Sequence, residues 1–379
     1  MNFQPYPFEK LKQLIAPITP QKQGLTLTIG EPQFPTPRPI VETLIKHADE
    51  LRYYPKSAGE DYLKNAQLDF VQKRFNITLK PTQIIPTLGT REVLFNFPQF
   101  LLFDVPAPII AHPNPFYQIY EGASIACRAK TIYMNLKTTN DFKPILTHEE
   151  KSQAHLVILN SPNNPTGATL SITELKQWVK DALRYDFVLL NDECYSEIYQ
   201  NNPPASILQA SYEVGNKDFK NILAINSISK RSSAPGLRSG FIAGDEGILK
   251  AYGQYRSYLG CAIPNPLQRA SAQAWGDFAT SEAIRKKYAK NLQIAKEIFP
   301  HAHIPPYAFY LWFEVKNDTD FTQKLYEKEG ILVLPGSFLG REGMGKGYVR
   351  IALVYEGDIL EGALKTIASF LKTYQKGDQ

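Results

Sequence analysis

The sequence predicts an α/β chain, with a large domain built on a mostly parallel, helix-covered sheet and a smaller α+β domain after it. Three observations carry this. Short apolar runs alternate with helix-spaced segments from Ile84 to Ala243, the pattern of a parallel sheet buried on both faces. Beyond Lys250 two helical stretches follow one another with no strand between them, and a new set of strands then begins. At 379 residues the chain is long enough for two cores. The expected division is an arm and part of the small domain over 1–40, the large domain over 41–280 and the small domain over 281–379.

The elements follow in order. A Pro-rich opening contains one amphipathic stretch, Phe8 to Ile15, which reads as an arm lying on something else. Leu25 to Ile29 is a strand candidate, ending in Gly30-Glu31-Pro32-Gln33-Phe34-Pro35-Thr36-Pro37, a loop stiffened by proline. Ile40 to His47 and Tyr62 to Phe75 read as helices, separated by the irregular Tyr53-Tyr54-Pro55-Lys56-Ser57-Ala58-Gly59. Strands are expected at Ile84–Pro86, Ile109–Ala111, Thr131–Met134, Leu156–Leu159, Val188–Leu190, Ile222–Ile225 and Phe241–Ala243. Helices are expected at Thr90–Phe103, interrupted by Pro98, and at Phe116–Ala126 and Ile172–Tyr185. The second part reads as helices Pro266–Trp275, Glu282–Phe299, Phe321–Lys328 and Ile359–Tyr374 with strands Phe309–Val315, Ile331–Leu334 and Val349–Val354.

Composition narrows the function. Hydrophobic content of 43% and charged content of 21% are those of a globular protein. The net charge of +5 is mild for the length and no long run of one sign occurs, so neither nucleic-acid nor membrane-surface binding is indicated. Three widely spaced cysteines, Cys127, Cys194 and Cys261, argue for a reducing compartment. No signal peptide and no membrane-length apolar run is visible, which points to the cytoplasm. No metal-ligand spacing occurs; His301-Ala302-His303 has no partner ligands nearby.

The candidate chemistry sits in loops that follow strands, where open α/β sheets bind their ligands. Ser227-Ile228-Ser229-Lys230-Arg231 combines hydroxyls, a lysine and an arginine, with Arg238 a short way on. A lysine amine can attack an aldehyde, and nearby cations help keep it neutral. Hydroxyls and a guanidinium fork suit a phosphate. Gly89-Thr90-Arg91-Glu92 opens a helix, so its backbone N–H groups and the Thr90 hydroxyl suit a phosphate as well as an ordinary helix cap. Asp192, at a buried strand end, needs a cation or donors. Arg350, inside the apolar Tyr348–Ala352 run, needs an anion, from protein or substrate.

Taken together, G-E-P-x-F-P-T-P at Gly30, Y-x-x-x-x-G at Tyr54, G-T-R-E at Gly89 and P-x-Y-x-x-Y at Pro115 come first. N-P-T-G at Asn164, D-E-x-Y at Asp192, S-x-S-K at Ser227 and G-x-R-x-G at Gly236 follow in that order. In this the chain resembles the class I/II aminotransferases of fold type I, which use pyridoxal 5′-phosphate (PLP) as cofactor. The resemblance implies that Lys230 binds the cofactor and moves the substrate's α-proton. Asp192 would pair with the pyridine nitrogen, and Tyr195 and Asn164 would hydrogen-bond the phenolic oxygen. Tyr117 would stack on the ring. Thr90, Arg91, Ser227, Ser229 and Arg238 would surround the phosphate, and Tyr54 would reach the phosphate of a neighbouring subunit in a homodimer. Arg350, helped by Gly30 and Asn164, would clamp the substrate carboxylate.

Several segments are similar to one branch, the bacterial N-succinyldiaminopimelate aminotransferases: Lys230 to Gly240, Asp192 to Tyr199, Tyr6 to Leu11 and Leu334 to Glu342. That resemblance implies ping-pong transfer between an N-succinyl-L,L-diaminopimelate donor and 2-oxoglutarate, on the way to lysine and diaminopimelate. Arg231 and Arg341 are candidates for the distal carboxylate. Gln33, where many relatives carry Asp, and the atypical Pro306-Tyr307-Ala308-Phe309-Tyr310 bear on side-chain specificity. Aminotransferases for aspartate, glutamate or aromatic amino acids, a C–S lyase and a non-catalytic PLP-binding regulator are the alternatives. Gly340 to Gly347 imitates a P-loop, but Gly347 stands where Ser or Thr would bind Mg²⁺; it reads as a flexible surface loop.

Overall fold

The structure is a computed structural model that describes residues 3–376. The first two residues of the expected arm and the last three of the expected small domain lie outside them. The helices of the first part are α1 (Pro7–Ile15), α2 (Arg38–Lys46), α3 (Asp61–Phe75), α4 (Thr90–Leu101) and α5 (Ile119–Ala126). After these come α6 (His148–Gln153), α7 (Ile172–Tyr185), α8 (Ile207–Glu213), α9 (Ile228–Arg231) and α10 (Glu246–Arg256). The strands among them are β1 (Ile84–Thr87), β2 (Ile109–Asn114), β3 (Lys130–Asn135), β4 (Leu156–Asn160), β5 (Val188–Asp192), β6 (Ile222–Ser227) and β7 (Gly240–Gly244). Helices α11 (Asn265–Gly276) and α12 (Phe278–Ile298) lead to β8 (Tyr310–Glu314), α13 (Asp318–Glu329), β9 (Leu334–Pro335), β10 (Tyr348–Ala352) and α14 (Gly357–Lys376).

The seven-stranded sheet has the order β1-β7-β6-β5-β4-β2-β3. Pairs β3–β2, β2–β4, β4–β5 and β5–β6 are parallel, and β7 runs antiparallel to both β6 and β1. The sheet is therefore mostly parallel with a single reversed strand. The central strands β4, β5 and β6 are buried at every position because both faces are covered. Leu156, Ile158, Leu223 and Ile225 enter one core, and their neighbours Val157, Leu159, Ile222 and Ala224 enter the other. This is the period-two alternation of a pleated strand.

The topology puts the candidate loops on one edge. Asn160, Asp192 and Ser227 close their strands at the same end of the sheet. Thr87 closes β1 opposite Gly240, where the reversed β7 begins, just after Arg238. A second, three-stranded antiparallel sheet, β8-β10-β9, carries Arg350 opposite Trp312 and Leu334. A separate core of Leu292, Phe313, Phe321, Ile351 and Leu364 packs around it.

Some expected elements differ. Leu25–Ile29 forms no strand among the described residues. It makes a single bridge, Thr26 to Leu332, and its backbone bonds are shared between Leu332 and Ala352. Of the expected Ile331–Leu334 run only Leu334 enters the sheet, together with Pro335 as β9. Pro98 does not interrupt α4. It removes one helical donor, but its ring is buried beside Phe97, which packs on Tyr252. The 340–347 stretch is anchored rather than free. The Asn114 side chain accepts from the Arg341 N–H at 2.9 Å and donates to its carbonyl at 3.1 Å.

Candidate active site

A cavity of about 550 Å³ opens at the shared strand edge, between the large sheet and the small one. Its wall includes Gly30, Thr90, Arg91, Tyr117, Asn164, Asp192, Tyr195, Ser227, Ser229, Lys230, Arg238 and Arg350. Every residue given a cofactor or α-carboxylate role from the sequence is there except Tyr54, which stands fully exposed on the 53–58 stretch.

Lys230 lies on the one-turn helix α9 immediately after β6. Ser227 caps that turn, its hydroxyl accepting from the Ser229 N–H at 3.1 Å. The Lys230 amine turns inward and donates to the Gly30 carbonyl at 2.5 Å. Burial lowers its pKa to about 8; Cys194 and Glu31 oppose the shift, and Arg350 and Arg238 add to it. A fraction of the amine is thus unprotonated near neutral pH, as a nucleophile requires.

Asp192 is buried at the end of β5. It accepts from the Tyr120 hydroxyl at 2.9 Å and the Cys194 N–H at 3.2 Å. Desolvation raises its pKa against those two bonds. It has no ion pair among the described residues, so its need for a partner is met by donors alone. Tyr195 is buried, with its hydroxyl 3.0 Å from that of Tyr310. Desolvation pushes its phenol up.

Arg350 is 5% exposed and has no carboxylate partner among the described residues. It donates to Asn164 Oδ1 at 2.7 Å and to the Thr28 carbonyl at 2.6 Å, and its Nε is buried without a partner. A buried guanidinium held this way calls for an anion from outside the chain.

At the start of α4 the cap is Gly89, not Thr90, and no side chain caps the helix. The Thr90 hydroxyl instead meets Cys194 Sγ at 3.1 Å. Gly89 has φ +73, and a Cβ there would lie 2.3 Å from Arg238 Nη2. Backbone and guanidinium approach so closely only because no side chain intervenes. Arg91 turns away from this helix end, donating to Tyr117 and to Tyr6 of the arm, each at 3.1 Å.

These features fit PLP, the cofactor the resemblance implies. Lys230 offers a part-neutral amine to an aldehyde. Asp192 offers an unpaired buried carboxylate to a protonated ring nitrogen. The open N-terminus of α4, with Arg238 and the Ser227, Ser229 and Thr90 hydroxyls, offers donors to a phosphate.

Two sequence candidates for a distal carboxylate are committed elsewhere. Arg231 faces the core, donating to the Ala274 carbonyl at 2.9 Å over the Phe70 and Trp275 rings. Arg341 forms a two-pronged pair with Glu121 at 2.6 and 2.5 Å. Neither lines the cavity. Conversely, Tyr6, Pro7 and Phe8 of the arm, Tyr120, Cys194 and Tyr310 line it although the sequence assigned them no role in the site. Tyr120 could have been found, since it is the last tyrosine of the P-x-Y-x-x-Y motif that begins at Pro115. For Tyr310 the one signal was its place at the end of the atypical Pro306–Tyr310 segment.

Comparison with known proteins gives one consistent picture. The family model "Aminotransferase class I and II" matches residues 22–365. An LL-diaminopimelate aminotransferase of Natranaerobius thermophilus is 31% identical, with 97% of each chain covered. The crystal structure of aminotransferase AspB from Helicobacter pylori is 54% identical with a TM-score of 0.97, covering 98% of this chain and 100% of its own. That of an aminotransferase from Neisseria meningitidis is 36% identical with a TM-score of 0.93, covering 98% of both.

Proposed function

The chain belongs to the class I and II aminotransferases, which depend on PLP, and on that premise we propose that it moves the amino group of an α-amino acid, held by its α-carboxylate on Arg350, to a 2-oxo acid. One juxtaposition carries the reading. Lys230, its amine lowered by burial to a pKa of about 8, shares a cavity with Arg350, a buried guanidinium without a protein counter-ion among the described residues.

When bound, PLP supplies an aldehyde and a ring that takes up the electron pair left at the substrate α-carbon. Asp192 keeps a proton on the ring nitrogen, in a site where water cannot compete. Lys230 Nζ would take the proton from the substrate α-carbon and hand it to the cofactor's aldehyde carbon, on the other side of the transferred nitrogen. Arg350 binds the α-carboxylate through its fork, with Gly30 beside it. Asn164 Oδ1 is held by Arg350, which leaves Nδ2 to donate to the cofactor's phenolic oxygen alongside Tyr195. Tyr117 stacks on the ring. The backbone at Thr90 and Arg91, with Ser227, Ser229 and Arg238, binds the phosphate.

The donor we favour is N-succinyl-L,L-diaminopimelate, with 2-oxoglutarate as acceptor. Its support is the similarity of four segments to that branch and a cavity roomy enough for a long substrate. A second reading, unblocked LL-diaminopimelate, is favoured by the names of several relatives. We take the arm, large domain and small domain to divide near residues 40 and 280, so that closure would bring Arg350 toward Lys230. A homodimer is supported by Tyr54, Tyr53, Leu51 and Ile45, all exposed, an apolar surface of the kind that marks an interface. Among the described residues no helix is long and apolar enough to cross a membrane, and all three cysteines are free; we place the enzyme in the cytoplasm.

The test is a donor screen on the PLP-loaded protein. N-succinyl-L,L-diaminopimelate, LL-diaminopimelate, aspartate, glutamate and an aromatic amino acid are each mixed with it, and loss of the cofactor's visible band is followed. Fast loss with the succinylated donor and with glutamate supports the reading. Fast loss with aspartate or LL-diaminopimelate, and none with the succinylated donor, replaces it.

A further inference from the structure

Tyr310, which the sequence marked only as part of an atypical segment, joins three parts of this site. It opens β8 opposite Ala352 and is 2% exposed. Its hydroxyl lies 3.0 Å from the Tyr195 hydroxyl. The Arg350 guanidinium sits 4.5 Å above its ring centroid. A Cβ on Gly30 would stand 1.7 Å from its hydroxyl, so Gly30 is where the phenol reaches in. The Gly30 carbonyl is in turn the acceptor for the Lys230 amine. One side chain of the small sheet thus contacts the carboxylate clamp, the phenol beside the cofactor and the perch of the lysine.

We propose that Tyr310 is a positioning residue that couples the Arg350 clamp to the cofactor through Tyr195. The inference rests on the functional reading above and adds a route to it. A phenol has one proton to donate. If Tyr195 spends its proton on the cofactor's phenolic oxygen, its own oxygen must accept, and Tyr310 must be the donor. Accepting that bond polarises the Tyr195 O–H and makes it a stronger donor. The guanidinium draws on the Tyr310 ring and strengthens the first donation. Hence a substrate carboxylate that neutralises Arg350 weakens both bonds in turn. The cofactor side then holds its proton more tightly when the clamp is filled than when it is empty. The Arg350–Asn164 bond is a parallel route that leaves Tyr310 out.

The experiment uses the PLP-loaded protein and reads the pH midpoint of its visible absorbance, with no substrate present. Tyr310→Phe keeps the ring under Arg350 and removes only the hydroxyl. The midpoint is expected to rise by roughly half to one pH unit, the effect of losing one ordinary hydrogen bond. In a Tyr195→Phe background the same substitution should move it by less than about 0.2 units, because the relay is already cut. Arg350→Met should raise the midpoint more in the wild type than in the Tyr310→Phe background. A midpoint unchanged by Tyr310→Phe, or a shift that persists undiminished in the Tyr195→Phe background, overturns the relay. A lower melting temperature with an unmoved midpoint would show that Tyr310 only packs. If the visible band survives in Lys230→Ala, the underlying assignment fails and the relay falls with it, an outcome distinct from an immobile midpoint.

Discussion

Replacing Arg350 by methionine separates a binding role from a structural one. Two effects oppose each other in stability. The substitution removes a buried charge without a protein counter-ion, whose desolvation costs several kcal/mol. It also removes two charge-assisted bonds, to Asn164 Oδ1 at 2.7 Å and the Thr28 carbonyl at 2.6 Å, each contributing about 1.5–3 kcal/mol. These nearly cancel, so the melting temperature should stay within about 5 °C of the wild type. Activity has no such offset. Truncating one partner of a buried, hydrogen-bonded charge pair costs about 2–5 kcal/mol. At 1.36 kcal/mol per decade, kcat/KM for the amino donor should fall by about thirtyfold to a few thousandfold. Stopped-flow half-reactions and a thermal melt give both quantities on one preparation. A kcat/KM within fivefold of the wild type would refute the clamp. A large fall in melting temperature with unchanged KM would make Arg350 structural.

Other outcomes follow from burial and spacing. In cofactor-free protein, Lys230 is protonated in both folded and unfolded chains below about pH 8, where its burial cost is felt in full. Between about 8 and 10.5 the folded state sheds a proton that the unfolded chain keeps, so stability rises with pH by up to about 3 kcal/mol. Urea titrations near pH 7.5 and 9.5 should show that rise in the wild type and not in Lys230→Met; equal slopes would contradict it. Glu193, raised to about 7 by burial, has the opposite sign. Between about 4.5 and 7 its folded form keeps a proton that the unfolded chain has lost, so stability falls as pH rises. Glu193→Gln retains an acceptor for Asn191, Ser206 and Ile207 and should melt higher than the wild type above pH 7; a lower melting temperature there sinks the argument. Gly89→Ala drives a Cβ toward Arg238 at φ +73. PLP affinity, read by fluorescence titration, should weaken at least about tenfold while the apo-protein loses only about 1–2 kcal/mol; unchanged affinity would remove Gly89 and Arg238 from the phosphate site.

The parts of the fold legible in the sequence were those whose physics is local. Runs such as Leu156–Leu159 and Ile222–Ile225 are apolar at every position because both sheet faces are covered, and that shows without tertiary knowledge. The reversal of β7 does not show, since direction is set by what precedes the strand and not by its residues. Helix α8 begins with a capping box, Ser206 to Gln209, a signal that was present but short. Leu25–Ile29 is apolar enough for a strand, yet its hydrogen bonds divide between two partners. Within the site, residues with unusual chemistry in or beside apolar strands announced themselves, as Lys230, Asp192 and Arg350 do. Tyr310 and Tyr6 did not, because an aromatic in an apolar run or a Pro-rich arm looks like packing until a neighbour such as Tyr195 or Arg91 is placed beside it.

The central claim is that Lys230 is the residue to which the cofactor attaches. Borohydride reduction of the PLP-loaded protein, proteolysis and mass spectrometry locate the attachment directly. A phosphopyridoxyl increment is expected on the peptide containing Lys230, lost with the visible band in Lys230→Ala. An increment on another lysine, or a band that persists in that variant, would contradict it.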